Sequence, residues 1–199
     1  MRDVVAGEEP VAGQQSALAS DGGLVLAART DSHAFDVLYA RHVRGVYSYL
    51  YAQTGTREIA EDLTSQTFVR ALEGVSGIRS GESFAPWLMR IAHNTLIDHR
   101  RASHRAGRLM ERLKGVFQEG TAQDDHDILT GTESFLALTA PLPKEQRDAL
   151  ALRFKADLST ARVAEVLGRS EGATRMLLVR ALRTLRGRTA QGEEEEERQ

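Results

Sequence analysis

The 199-residue chain has no cysteine. Disulfides and thiolate metal sites are therefore excluded, and a reducing compartment such as the cytoplasm is the natural setting. Aromatic residues are scarce at 6%, which leaves Leu, Ala and Val to build most of any core. No stretch is apolar enough to cross a bilayer; "GGLVLAA" is far too short. No charged start followed by an apolar run marks a leader peptide. Strand signals are missing as well, since there is no alternating β-branched run and no Asn-Gly hairpin turn. There is no internal repeat. These absences leave an all-α chain without membrane insertion, expected to be soluble and cytoplasmic.

What is present is a segregation of charge that the net value of −2 conceals. Eight Lys/Arg stand against three Asp/Glu from Arg79 to Lys114, and eleven against five from Pro141 to Ala190. Between these blocks, Gly115 to Ala140 carries five acids and no Lys or Arg, while "EEEEE" occupies Glu193 to Glu197. Two basic blocks, each tied to a helical pattern, point to a polyanion.

Periodicity divides the chain. Residues 1–31, rich in Gly, Ala, Gln and Ser, read as a flexible extension. From Ser32, the residues Phe35, Leu38, Tyr39, His42, Val46, Tyr49 and Leu50 recur at three- and four-residue steps, the mark of one buried helix face. Gly55 and Thr56 interrupt it, and a second helix is expected over Arg57 to Val75. Glycines 74, 77 and 81 mark a loop, after which Ser83 is placed to cap a third helix with Pro86 in its first turn. That helix, "FAPWLMRIAHNTLIDHRRASHRA", starts apolar around Trp87 and ends in Arg and His. The tryptophan reads as a core anchor and the far end as a face for something negative. Residues 32–112 thus form a first helical domain, 113–138 an acidic linker with a short helix near "ILTGTESFLALT", 139–190 a second domain and 191–199 an acidic tail.

In the second domain "LSTARVAEVLGRSEGATRMLLVRALRTLR" has the form of a helix-turn-helix. Val163, Ala164, Val166 and Leu167 give its first helix an inner face. Gly168 suits the sharp turn, because only glycine takes a positive φ cheaply. The next helix, capped by Ser170, projects its first turn outward, where it would meet base edges in a major groove. Arg180, Arg183, Arg186 and Arg188 follow at roughly helical spacing and would contact phosphates. Other chemistries fit poorly. His93, His99 and His104 lie five or six residues apart, the wrong spacing for a metal on one helix. Asp98 beside His99 has no nucleophile or second partner, so it reads as a pairing residue.

Four blocks in order, "FDVLYARHVRGVYSYL", "AEDLTSQTFVRAL", "IRSGESFAPWLMRIAHNTLIDHRR" and "PLPKEQRDALALRF" with the helix-turn-helix, resemble the sigma factors of bacterial RNA polymerase, in the extracytoplasmic-function group of the sigma-70 family. The resemblance spans roughly Phe35 to Arg188. It implies two helical domains joined by a flexible linker, and a non-enzymatic initiation factor without cofactor. It implies that Glu61, Asp62, Leu63, Gln66, Thr67 and Phe68 dock on core polymerase. It assigns Ile78, Arg79, Ser80, Arg90, Asn94, Arg100 and Arg101 to recognising and melting the −10 element. It assigns Arg169, Ser170, Glu171, Thr174, Arg175 and Arg180 to reading −35. The implied partners are the clamp and flap regions of core RNA polymerase, promoter DNA and an anti-sigma protein. The chain departs from the family pattern after "SEG", where Met176 and Leu177 stand at positions usually polar or basic. Either the −35 specificity is unusual or these two face another surface, such as a partner protein. The rival class is a self-sufficient dimeric helix-turn-helix regulator, which leaves "AEDLTSQTF" with no task. A hydrolytic nuclease is weaker still, since carboxylates do not cluster on the basic faces.

Overall fold

The computed structural model describes residues 20–78, 83–113 and 130–196. Its elements are α1 (Asp21–Ala27), α2 (Ser32–Thr54), α3 (Arg57–Gly74), a 3-10 turn (Val75–Gly77), α4 (Phe84–Leu113), α5 (Thr130–Thr139), α6 (Lys144–Phe154), α7 (Thr160–Leu167) and α8 (Glu171–Glu196). No strand occurs among the described residues, so the chain is all-α. The expected helix starts hold, while α4 and α8 run several residues past their expected ends near Arg105 and Arg188.

The extension expected over residues 1–31 requires a correction. Within it, α1 folds against α2 and touches α4 and the 3-10 turn. The reason is local: Ser20 caps the helix by accepting the Gly23 N–H at 3.2 Å, and Leu24 and Val25 are buried. The seam is fastened where Asp21 meets Arg41 at 3.1 Å and His42 at 2.7 Å. Two apolar side chains on one turn outweighed the glycines that read as disorder.

The first bundle packs α2, α3 and α4 together around Leu38, Tyr49, Leu50, Leu63, Phe84, Leu88 and Leu96, all fully buried. Each such side chain stabilises the fold by about 2 kcal/mol through removal from water. Gly55, at φ +68°, ends α2 with its N–H on the Tyr51 carbonyl at 2.9 Å. The Ser83 carbonyl accepts from the Trp87 N–H, opening α4 with Pro86 inside the first turn. Trp87 is half-buried and packs on Phe84, centroids 5.7 Å apart, so it does anchor the start of the helix.

The second bundle packs α8 against α6 and α7 over Leu150, Leu152, Val163, Ala181 and Leu185. Ser159 caps α7 by accepting the Arg162 N–H, and Ser170 caps α8 by accepting that of Ala173. Gly168 makes the turn between them at φ +63°.

The two bundles are docked: α7 lies on α4, while α5 and α6 lie on α2. Helix α5 therefore takes the last part of the segment expected as linker; residues 114–129 lie outside the described residues. An ion pair crosses the seam. The Arg100 guanidinium donates to Asp148 Oδ1 at 3.4 Å and to the Gln53 carbonyl and Oε1 at 3.2 and 2.6 Å. Asp148 is buried, with Lys144 at 3.9 Å from its other oxygen.

Beneath this pair, the buried Tyr49 hydroxyl lies 2.7 Å from His93 Nδ1. Burial pushes the tyrosine well above its ordinary range, so the hydroxyl keeps its proton and donates it. Burial also lowers the His93 pKa, and neighbouring Asp148 offsets this only in part. The folded state therefore binds a proton on His93 less readily than the unfolded chain. The contribution of neutral His93 to stability is fully present above the unfolded value near 6.5 and is lost as pH falls through the lower folded value. Denaturant titrations from pH 8 to 5 are expected to show a declining unfolding free energy below about pH 6.5, and His93→Gln is expected to flatten the decline.

Candidate polymerase and nucleic-acid interfaces

Three exposed helix faces carry the chemistry. On α3 the inner side is taken by Ala60, Leu63, Thr64, Thr67, Phe68 and Ala71, all buried. Phe68 meets Tyr39 edge-on at 4.6 Å, and Thr67 donates to the Leu63 carbonyl at 2.7 Å. The docking role expected of Leu63, Thr67 and Phe68 is thereby corrected to core packing, because a helix side chain filling a bundle interior presents no surface to a partner. Glu61, Asp62 and Gln66 are exposed. Gln66 donates to Asp62 at 2.7 Å, and Arg57 to Glu61 at 2.9 Å. The sequence reading missed the apolar part of this face. Val69 and Leu72 are 58% and 53% exposed, on the same side as Asp62 and Gln66. The spacing 62, 65, 69, 72 was available to reveal them.

On α4, Phe84, Leu88, Met89, Ala92, His93, Thr95 and Leu96 are buried. Arg90, Asn94, Arg101 and Arg105 are exposed and fall at helical spacing on one stripe. Asp98 lies along it and pairs with Arg70 at 3.4 Å, as a pairing residue should. Two expected −10 residues, one on α4 and one before it, require correction. Arg100 lies off the stripe, turned into the seam with Asp148 and Gln53, because its position follows the inward face of α4. Ile78 is buried at the base of the loop, where its carbonyl accepts from Arg29 at 2.8 Å. Arg79 and Ser80 lie outside the described residues.

On α8 the inner stripe is Thr174, Leu178, Ala181 and Leu185, all buried. Thr174 is fully enclosed, which removes it from the expected −35 set; the helix-turn-helix core needs a small side chain there. The opposite side presents Arg175, Met176, Val179, Arg180 and Arg183, all exposed. Arg169 pairs with Glu145 at 2.8 Å, and Glu171 holds Arg175 at 2.7 Å. Ser170 spends its hydroxyl oxygen on the helix cap. Among the described residues no group of three or more His, Asp or Glu side chains is arranged to hold a metal ion, and no helix is long and apolar enough to cross a membrane.

A helix-turn-helix with a basic outer face, docked on a bundle that shows a second basic stripe, defines an all-α DNA-binding protein of two modules. The family models for Sigma-70 region 2 and Sigma-70, region 4 match residues 38–106 and 140–187. The chain is 35% identical to the ECF RNA polymerase sigma factor BldN of Streptomyces coelicolor over 158 residues, 78% of this chain and 60% of that protein. It is 31% identical to the RNA polymerase sigma factor YlaC of Bacillus subtilis, covering 80% of this chain and 94% of that one. The chain thus spans about three fifths of the Streptomyces relative and nearly all of the Bacillus one. Its fold is similar to that of CnrH bound to the cytosolic domain of CnrY, with a TM-score of 0.62 at 23% identity over 85% of this chain and 97% of that one. It is also similar to RpoE bound to the anti-sigma factor NepR from Bartonella quintana, at TM-score 0.63 and 22% identity over 77% and 94% of the two chains. The chain belongs to the sigma-70 family, in its extracytoplasmic-function group.

Proposed function

We propose that this chain is a sigma factor that binds core RNA polymerase and directs promoter-specific transcription initiation. The observation that carries the reading is the presence of three separate outward faces on one chain. The Glu61, Asp62, Gln66, Val69 and Leu72 face of α3 has the apolar centre and polar rim of a protein interface. The Arg90, Asn94 and Arg101 stripe of α4 offers cations for phosphates and an amide with both donor and acceptor for an unstacked base. The outer face of α8 offers a major-groove reader. Residues 32–112 would serve polymerase and −10, and 139–190 would read −35, with 113–138 connecting them.

Opening DNA costs unstacking and unpairing energy, which a site on α4 offsets by holding extruded bases. The chain itself makes no covalent bond; the polymerase does. It needs no cofactor for this work and acts where the polymerase acts, in the cytoplasm. An anti-sigma protein is the expected inhibitor. The test is a binding assay with full-length chain, core polymerase and promoter duplex. The chain is expected to bind core polymerase as a single copy and to bind duplex weakly until the polymerase joins. A stable dimer that binds duplex alone, indifferent to polymerase, would instead favour a self-sufficient regulator.

A further inference from the structure

The outer face of α8 is not uniformly polar. Its inner stripe is fixed by Thr174, Leu178, Ala181 and Leu185, so the opposite side centres on Gly172, Arg175, Met176, Val179 and Arg183. Met176 is 51% and Val179 41% exposed, one turn apart, with Arg175 before them and Arg180 and Arg183 after. Leu177, the other residue that broke the family pattern, is half-buried and packs toward the core, so the departure reduces to Met176 on the reading face. An apolar pair in the second and third turns of a recognition helix, framed by arginines, meets the one apolar group that a major groove displays. That group is the 5-methyl of thymine.

We infer that Met176 and Val179 are specificity-determining residues that read thymine methyl groups in the −35 element, while Arg175, Arg180 and Arg183 supply the phosphate and guanine contacts around them. This rests on the reading of α7 and α8 as the −35 module. Charge argues for DNA as the occupant of this face over a partner protein. Three exposed arginines border the apolar pair, and the only carboxylate in the first turn of α8, Glu171, is engaged by Arg175. The methionine is unbranched and adaptable, so it follows a methyl group without demanding one geometry. A hydrogen-bonding side chain would instead select its base by donor and acceptor.

The test removes only the methyl group. Holoenzyme, assembled from full-length chain and core polymerase, selects duplexes from a pool randomised over the −35 element. The recovered duplexes are remade with each thymine replaced singly by 2′-deoxyuridine. At one or two positions the substitution is expected to weaken binding roughly fourfold, the worth of one buried methyl group. With Met176→Ala or Val179→Ala the thymine-to-uracil ratio at one of those positions is expected to fall to near one. With Arg175→Ala, binding is expected to weaken while that ratio persists. Indifference to uracil at every position would overturn the inference, and so would a ratio unchanged in both Met176→Ala and Val179→Ala. A double variant that loses a protein partner yet binds DNA with its thymine preference intact would overturn it as well. If no holoenzyme forms or nothing is recovered from the pool, the sigma-factor reading fails first and takes this inference with it. Recovery of a defined −35 sequence without methyl sensitivity defeats the inference alone.

Discussion

Replacing Leu72 by glutamate is expected to weaken capture of core RNA polymerase by at least about 30-fold, the effect of losing an interface hot spot of roughly 2 kcal/mol. The side chain is 53% exposed and lies one turn from the equally exposed Val69, on the face shared by Asp62 and Gln66. Singly exposed apolar residues are ordinary on a protein surface. Two adjacent ones, bordered by Glu61, Asp62 and Glu73, have the layout of an interface centre with a charged rim. A glutamate there puts an unpaired charge into the contact and costs the free chain little, since the position is solvent-facing. The thermal midpoint of the variant is therefore expected to stay within a degree or two of the parent, and titration against core polymerase reads the affinity. Leu63→Glu makes the contrast. That side chain is fully buried, so this variant is expected to unfold the first bundle, and its loss of polymerase binding would say nothing about an interface.

Asp148→Ala is expected to separate the two bundles. It removes the buried carboxylate that holds Arg100 of α4 and Lys144 of α6. Stripping one partner from a buried ion pair leaves the other without its counter-charge and costs up to about 3–5 kcal/mol. Here Arg100 retains the two Gln53 acceptors and has a quarter of its side chain in solvent, so about 2 kcal/mol is the expected cost. That is enough to shift the docked arrangement of α7 on α4 by more than tenfold toward a separated one. Small-angle scattering is expected to show a larger radius of gyration with unchanged helical circular dichroism. The same variant frees Arg100, so binding to single-stranded DNA is expected to strengthen at low salt. An unchanged radius of gyration would mean that the apolar contacts of α4 with α7 suffice to hold the bundles together.

Much of the fold was legible because its signals are local. Gly168 and Ser170 announce the turn and the cap of the recognition helix within three residues, and they sit as expected. The core stripe of α2 was read from spacing alone, except that Tyr39 is largely exposed, its ring covering Phe68 from the side. The all-α class followed from the missing strand signals.

The buried residues of α3 and α8 that were expected on outer faces share one cause. The six docking residues expected between Glu61 and Phe68 are spread over two turns of helix, so part of any such set must face inward. Leu63, Thr67 and Phe68 do so, and Val69 and Leu72, just beyond the set, face out. Thr174 fell to the same geometry on α8. Arg100 was unreadable for a different reason: Asp148 lies 48 positions away, and nothing local says that the two bundles dock. Helix α1 was hidden because its two buried side chains follow a pair of glycines, and their value depends on the groove they fill in α2.

The central claim is that one chain both recruits polymerase and opens DNA for it. Permanganate footprinting of promoter DNA with core polymerase tests it most directly, in the presence and absence of the full-length chain. The account predicts thymines around −10 that become reactive only when polymerase and chain are both present, and that lose reactivity with Asn94→Ala and Arg101→Ala. Reactivity with polymerase alone, or none with both on a promoter that the mixture binds, would contradict it.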